Sequence, residues 1–259
     1  MEVPEDLRKF ETLVEIIARL RAPDGCPWDR KQTHTSLRPN MLEEAYEALA
    51  ALDEGNAAKL CEELGDVMLQ IALHSQIASE TGEFEMGDVI EGINKKLIYR
   101  HPHIFGSTKA ENAEEVAHNW EALKREERGE DVSMLASVPE QMPALGYSQS
   151  IQKRVAQAGF DWEDISGVID KLAEEVAEYN ESTGDEKAEE FGDLLFTLVN
   201  VGRRMGIDSE AALRGANKKF YLRFSTMEDI CRQRGVSFAD LSFEEQNKLW
   251  EEAKKLTGS

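Results

Sequence analysis

The chain has 259 residues, with 51 acidic against 30 basic side chains and a formal charge of -21. That balance argues against a general nucleic-acid surface, because nonspecific binding needs many Lys and Arg contacts to phosphate. It leaves room for a small anionic ligand held by a few local cations and metal ions. No run of eighteen apolar residues predicts a membrane-spanning helix. The acidic, mixed N-terminus MEVPEDLRKFETL is unlike a signal peptide. Three scattered cysteines, Cys26, Cys61 and Cys231, suggest neither a disulfide framework nor a zinc knuckle. A reduced cytoplasmic protein is the expectation.

Leu7, Phe10, Leu13, Ile16, Ile17 and Leu20 recur at helical spacing and predict an opening amphipathic helix. The segment APDGCPWDRKQT follows, and its Pro and Gly enforce a loop. Helical patterning restarts over 40–52, turns at Asp53–Asn56 and resumes over 57–80, where Gly82 supplies the stop. Residues 86–99 predict another helix, ending before His101-Pro102, and 110–128 predict one more. From Gly129 to Pro143 the chain is polar and turn-rich, which separates two halves. We expect domains over 1–130 and 144–259, with 131–143 as the linker. The second series runs 144–158, breaks at GFDWED, then continues over 165–182, 185–205, 208–229 and 242–256. Convincing period-two strands are absent, and Ala, Glu, Leu and Lys dominate the periodic segments. The expected fold class is all-α, a tandem pair of helical bundles.

Each half carries the same acidic signature, offset by about 130 residues: EEAYE at 43–47 and EELGD at 62–66, then EEVAE at 174–178 and EEFGD at 189–193. A spacing of three puts both carboxylates of a cluster on one helix face. In the second half these are Glu175 and Glu178, then Glu190 and Asp193 on the next helix. A short turn near Thr183-Gly184 would run the two helices antiparallel and face the pairs. The first-half set is Glu44, Glu47, Glu63 and Asp66. Like charges on facing helices repel without a compensating cation, and Mg²⁺ takes oxygen ligands from carboxylates, water and substrate phosphate. Glu174 and Glu189 precede the inner pairs and could point elsewhere, cap a helix or orient a water. A lone acidic cluster in so acidic a chain reads as a solvated face; four clusters in matched order across two halves argue against that.

Two further matches follow each acidic set. NKKLIYR at 94–100 parallels NKKFYLR at 217–223, so Asn94, Lys96 and Arg100 correspond to Asn217, Lys219 and Arg223. Spacing of four puts Lys219 and Arg223 on one face, where an ammonium and a guanidinium could hold phosphate oxygens; the plain alternative is the ordinary preference for basic residues at helix C-termini. WEALK at 120–124 parallels WEEAK at 250–254, pairing Trp120 and Lys124 with Trp250 and Lys254. These indoles could stack on a base or ribose, or anchor a core or interface. His101 and His103 could touch phosphate or metal or merely shape a loop, Trp28 and Trp162 could plug equivalent loops, and Cys26 has no obvious base partner. There is no P-loop, dinucleotide fingerprint or nucleophile elbow. The residues alone reach a metal-dependent phosphate-ester or anhydride site. The rival from another class is a non-enzymatic helical interaction protein, with acidic faces for solubility and tryptophans as anchors.

Together with GCPWD at 25–29, RHPHIF at 100–105, IQKR at 151–154 and GFDW at 159–162, this ordered series resembles the MazG family of nucleoside triphosphate pyrophosphohydrolases, within the all-helical nucleotide pyrophosphatase superfamily. The resemblance covers nearly the whole chain. It implies hydrolysis of nucleoside triphosphates, with broad base tolerance including deoxy forms, to monophosphate and pyrophosphate. It implies Mg²⁺ held by Glu175, Glu178, Glu190 and Asp193 against the triphosphate. Lys219, Arg223, Trp250 and Lys254 match the family's basic and aromatic positions, and Asn217 joins them as a substrate-binding candidate. Glu174 or Glu189 would activate water, and Lys219 and Arg223 would offset charge on the leaving pyrophosphate. The resemblance also implies a homodimer and places the main activity in the C-terminal domain. Because the N-terminal set is intact, Glu44, Glu47, Glu63 and Asp66 form a possible second metal site, with Asn94, Lys96, Arg100, Trp120 and Lys124 as its substrate side. A narrow dUTP or dCTP pyrophosphatase is the alternative enzyme. Neither a membrane nor nucleic acid is an expected partner.

Overall fold

The computed structural model describes residues 4–128 and 132–258, with the side chains at 114, 117, 118, 121, 122, 125 and 128 excepted. The chain divides into two compact units, Met1–Glu127 and Arg128–Ser259. Residues 129–131, where the polar stretch begins, lie outside the described residues; 132–143 fall in the second unit as a run of turns. All regular structure among the described residues is helical, so the fold is all-α. The first unit holds α1 (Phe10–Arg21), α2 (His34–Asp53), α3 (Ala57–Thr81), α4 (Met86–Arg100), the single turn α5 (Pro102–Phe105) and α6 (Ala113–Arg128). The second holds α7 (Ala144–Gln157), α8 (Ile165–Glu181), α9 (Glu186–Arg204), α10 (Ser209–Arg234) and α11 (Phe243–Leu256). No helix among the described residues is long and apolar enough to cross a membrane.

Several boundaries depart from the periodicity. The first helix starts at Phe10, which leaves Leu7 outside it and exposed. The second starts at His34 instead of residue 40. Its start is set by a reciprocal cap: Thr33 Oγ1 accepts from Ser36 N at 3.1 Å, and Thr33 N donates to Ser36 Oγ at 2.9 Å. Pro39 interrupts the sequence pattern there, yet it sits close enough to the helix start that the fold absorbs one missing donor. The tenth helix runs on to Arg234, where Gly235 at φ 65 ends it in the left-handed region. Gly82, at φ 72, ends α3 in the same way, as the sequence indicated.

In the first unit, Ile17 from α1 and Leu37 from α2 meet Ala72, Leu73 and Ile77 from α3. His34 adds a 2.7 Å Nδ1–Nδ1 contact to His74, joining the start of α2 to α3. The almost fully buried Arg21 ties down the loop after α1. Its Nε and Nη2 bond both oxygens of Glu80 at 2.8 and 2.7 Å. Its Nη1 donates to the Asp29 and Gln32 carbonyls. The hydrogen bond from Arg21 holds the Glu80 carboxyl below its ordinary range. The second unit anchors its corresponding loop through the opposite charge. Asp161 accepts from Arg203 at 2.6 Å and Arg204 at 3.0 Å. Burial alone would raise the Asp161 carboxyl, but the two arginines hold it low. The main apolar cluster of this unit lies between α10 and α11, where Met227, Ile230 and Cys231 pack on Leu249 and Ala253.

The loop after α1 also depends on Gly25. A Cβ there would stand 2.3 Å from the Leu20 carbonyl oxygen and 2.5 Å from that of Arg19. Gly65, at an exposed position inside α3, has nothing within 4 Å of the corresponding position. Gly25→Ala should therefore cost about 1–3 kcal/mol through forced backbone movement, whereas Gly65→Ala should gain up to about 1 kcal/mol from helix propensity. Urea unfolding of the full chain checks both, and an unchanged midpoint for Gly25→Ala would refute the contact.

Candidate functional site

Helices α2 and α3 pack as a hairpin, and so do α8 and α9. Packing brings one carboxylate oxygen each from Glu44, Glu63 and Asp66 within 4.8 Å of one another, and it does the same for Glu175, Glu190 and Asp193. The two trios occupy matching positions of the repeat. Glu47 and Glu178, the fourth members of the sequence-derived sets, lie outside these trios and are exposed. They still act on them. Burial raises the Glu63 carboxyl above its ordinary range, and the charge of Glu47 raises it further. Burial likewise raises Glu190, followed by the charges of Glu178, Asp193 and Glu175. Glu44 is raised by burial, then by Asp66 and Glu47, with a hydrogen bond from Gln70 working against them.

The units bury different members of the trio: Glu63 is 6% exposed in the first, Glu175 5% in the second. They also differ in their cations. Lys171, one turn ahead of Glu175 on α8, places Nζ 2.8 Å from Glu175, 2.7 Å from Glu174 and 3.9 Å from Glu178. Hydrogen bonds to Glu174 and Glu175 make its proton harder to remove. The sequence comparison of the two halves passed over Lys171 because the matching residue is Asn40. The available signal was the i,i+4 and i,i+3 spacing from a lysine to two glutamates. Of the two water-activating candidates, Glu174 is held by this lysine, whereas Glu189 lies exposed in the first turn of α9.

The basic and aromatic residues form a second local group. In the second unit the Arg223 guanidinium lies 5.5 Å over the Trp250 ring, with Phe220 5.4 Å from the same ring. Trp250 also packs against the α10–α11 core, so it anchors structure while presenting the arginine. In the first unit Arg100 lies 5.7 Å over Trp120, His101 meets that ring edge-on at 4.8 Å, and Arg100 Nε bonds Glu127 at 3.1 Å. His103 sits 5.5 Å from His101. An arginine–tryptophan pair is thus assembled in both units. Lys254 pairs with Glu251 at 2.6 Å and Lys124 is half-buried, while Asn94, Lys96, Asn217 and Lys219 are exposed. Trp28 is exposed on its loop, and Trp162 packs on Gly167 at the start of α8.

A model of the MazG nucleotide pyrophosphohydrolase domain matches residues 32–105, which include the first acidic trio and Arg100. Over 247 residues the chain is 45% identical to the nucleoside triphosphate pyrophosphohydrolase/pyrophosphatase MazG of Thermotoga maritima, covering 95% of each chain. It is 40% identical over 258 residues to the nucleoside triphosphate pyrophosphohydrolase of Escherichia coli strain K12, covering 96% of this chain and 98% of that one. It is also 46% identical over 253 residues to the uncharacterized protein YabN of Bacillus subtilis, covering 95% of this chain and 52% of the longer relative. Identity of this extent, over nearly the whole length of the Thermotoga and Escherichia relatives, shows that the chain belongs to the MazG nucleotide pyrophosphohydrolase family.

Proposed function

We propose that the chain hydrolyses nucleoside triphosphates, over a broad range of bases and including deoxy forms, to nucleoside monophosphate and pyrophosphate with Mg²⁺. The observation that carries this reading is the repeated convergence of three carboxylates, Glu175, Glu190 and Asp193 in the second unit, within a chain related along its length to a nucleoside triphosphate pyrophosphohydrolase. The donors suit the ion: they are hard oxygens, close together, mutually repelling and partly withdrawn from water. Glu178, one turn beyond Glu175, is the proposed fourth ligand. When bound, Mg²⁺ polarises phosphoryl oxygens and offsets the charge of the triphosphate.

The protein's own groups supply the remaining steps of this proposal. Arg223 and Lys219 hold phosphate oxygens, the guanidinium by its planar fork. Trp250 fixes the plane of that guanidinium and borders the nucleoside, with Asn217 and Lys254 beside it. Since Glu174 is bonded to Lys171, we assign Glu189 to accept the proton of the attacking water. Water oxygen then bonds to the α-phosphorus, the bond to the bridging oxygen breaks, and pyrophosphate leaves with Lys219 and Arg223 countering its charge. The main activity is assigned to the second domain, 144–259. The first domain, 1–130, supplies the second site through Glu44, Glu47, Glu63 and Asp66, with Asn94, Lys96, Arg100, Trp120 and Lys124 on its substrate side. The protein is taken to work in the cytoplasm, in keeping with its unpaired Cys26, Cys61 and Cys231. It is also taken to work as a homodimer. Large apolar side chains stay exposed on the helices that carry the carboxylates, among them Leu64 at 50%, Phe191 at 49% and Leu198 at 45%, which supports burial against a second copy.

Product analysis tests the reaction: monophosphate and pyrophosphate are expected, and diphosphate with inorganic phosphate would overturn it. Glu175→Gln, Glu190→Gln and Asp193→Asn should each lower kcat/KM by on the order of 100-fold with helical content retained, and the Glu63→Gln loss should be smaller. A greater loss in Glu63→Gln would move the main activity to the first unit.

Mg²⁺ should also stabilise the fold in a pH-dependent way. The folded chain raises the Glu44, Glu63 and Glu190 carboxyls, so it binds those protons more tightly than the unfolded chain does. Their contribution to stability therefore grows as pH falls through the folded pKa and is lost as pH rises through it. Above that range the ionised clusters repel, and a divalent cation compensates. Tm at neutral pH should rise with Mg²⁺, and the increment should shrink as pH is lowered into the carboxylate range; a pH-independent increment would contradict this. Light scattering should give twice the chain mass, and a monomer mass would refute the homodimer.

A further inference from the structure

We propose that Lys171 is a resident counter-ion of the second acidic site, which a divalent cation must displace from Glu175 or share with it, and that it makes this site bind such cations more weakly than the first. The inference rests on the metal reading above and adds a difference between the two units. Glu175 is nearly buried, and a buried carboxylate requires a charge or hydrogen-bond partner. Lys171 is that partner, at 2.8 Å, from the preceding turn of the same helix. The same ammonium holds Glu174 at 2.7 Å and approaches Glu178 at 3.9 Å. Glu175 is also one of the three carboxylates whose oxygens converge within 4.8 Å. A cation held by that trio and the ammonium therefore draw on one carboxylate, and two positive charges so placed repel.

The first unit is the internal comparison. One turn ahead of Glu44 on α2 stands the uncharged Asn40. The buried member there is Glu63, on the other helix. Lys59, one turn ahead of Glu63, lowers the Glu63 carboxyl through its charge but forms no ion pair with it among the described residues. At the position matching Lys59 the second unit has Glu186. The repeat has thus put a lysine in contact with the acidic cluster in one unit and only near it in the other.

Mn²⁺ titration of the full-length chain, followed by the electron paramagnetic resonance of the free ion, reads the sites without reference to activity. In a Glu63→Gln background, which leaves the second site to be read, Lys171→Gln should tighten Mn²⁺ binding by more than twofold and up to about fivefold, the upper range expected of a partly screened charge pair. Lys171→Arg should keep the weaker affinity, because it keeps the charge. In a Glu175→Gln background, Asn40→Lys should weaken the first site by a similar factor. Affinities within twofold of the parent for both Lys171→Gln and Asn40→Lys would overturn the proposal while leaving the metal reading intact. No Mn²⁺ binding in either background would remove the metal reading itself, a separate failure.

Discussion

The structure turns on carboxylates pressed together by helix packing. A hairpin of two helices brings Glu44, Glu63 and Asp66 into one small volume, and a second hairpin repeats this with Glu175, Glu190 and Asp193. Glu44, Glu63 and Glu190 give up hydration and meet their neighbours' charge, and both effects favour the protonated form. The apolar contacts elsewhere in each unit must outweigh that repulsion. In the first unit Ile17, Leu37, Leu73 and Ile77 lie in the same α2–α3 hairpin or against it, so the core that stabilises the unit also fixes the spacing of the acids. An oxygen-lined cluster held in place at the cost of repulsion has the donors that a hard divalent cation takes.

The two units answer the same electrostatic problem differently. The second meets part of its charge with Lys171, whereas the first has Asn40 there and Lys59 only at longer range. Their loop anchors show a similar exchange of sign. A buried arginine reaches a carboxylate on α3 in the first unit, and a loop aspartate reaches two arginines on α9 in the second. A duplicated helical frame thus tolerates the exchange of donor and acceptor between elements, provided that each buried charge keeps a partner. The arginine–tryptophan pairs are retained in both units. A guanidinium on an indole face is held without losing the donors at its edge, which suits a group proposed to receive phosphate.

Much of this was legible in the sequence because helices write their faces into it. Periodicity located the ten longer helices, and the i,i+3 carboxylates identified the faces that converge. Gly82 marked the end of α3 by a backbone conformation that other residues seldom adopt, whereas the pattern stopped α10 at 229, short of its end at Arg234 and Gly235. The misreadings occurred where a local rule met a stronger neighbour. Helical patterning placed the start of α2 at residue 40, but the Thr33–Ser36 cap starts it at His34 and the helix runs through Pro39. Leu7 continued an apolar period that the chain does not extend into helix.

The sequence by itself determined the helical class, the duplicated order of acidic, basic and aromatic groups, and the residues able to meet across each hairpin, since all of these follow from spacing along the chain. Tertiary structure decided which three of four carboxylates converge, which one is buried, and which cation touches them. Those outcomes depend on the rotation and depth of one helix against another, and a shift of a few ångströms changes both the solvation and the Coulomb energy of a charged group. Lys171 shows the division: its spacing permits contact with Glu174 and Glu175, but only the burial of Glu175 makes that contact the one its carboxylate requires.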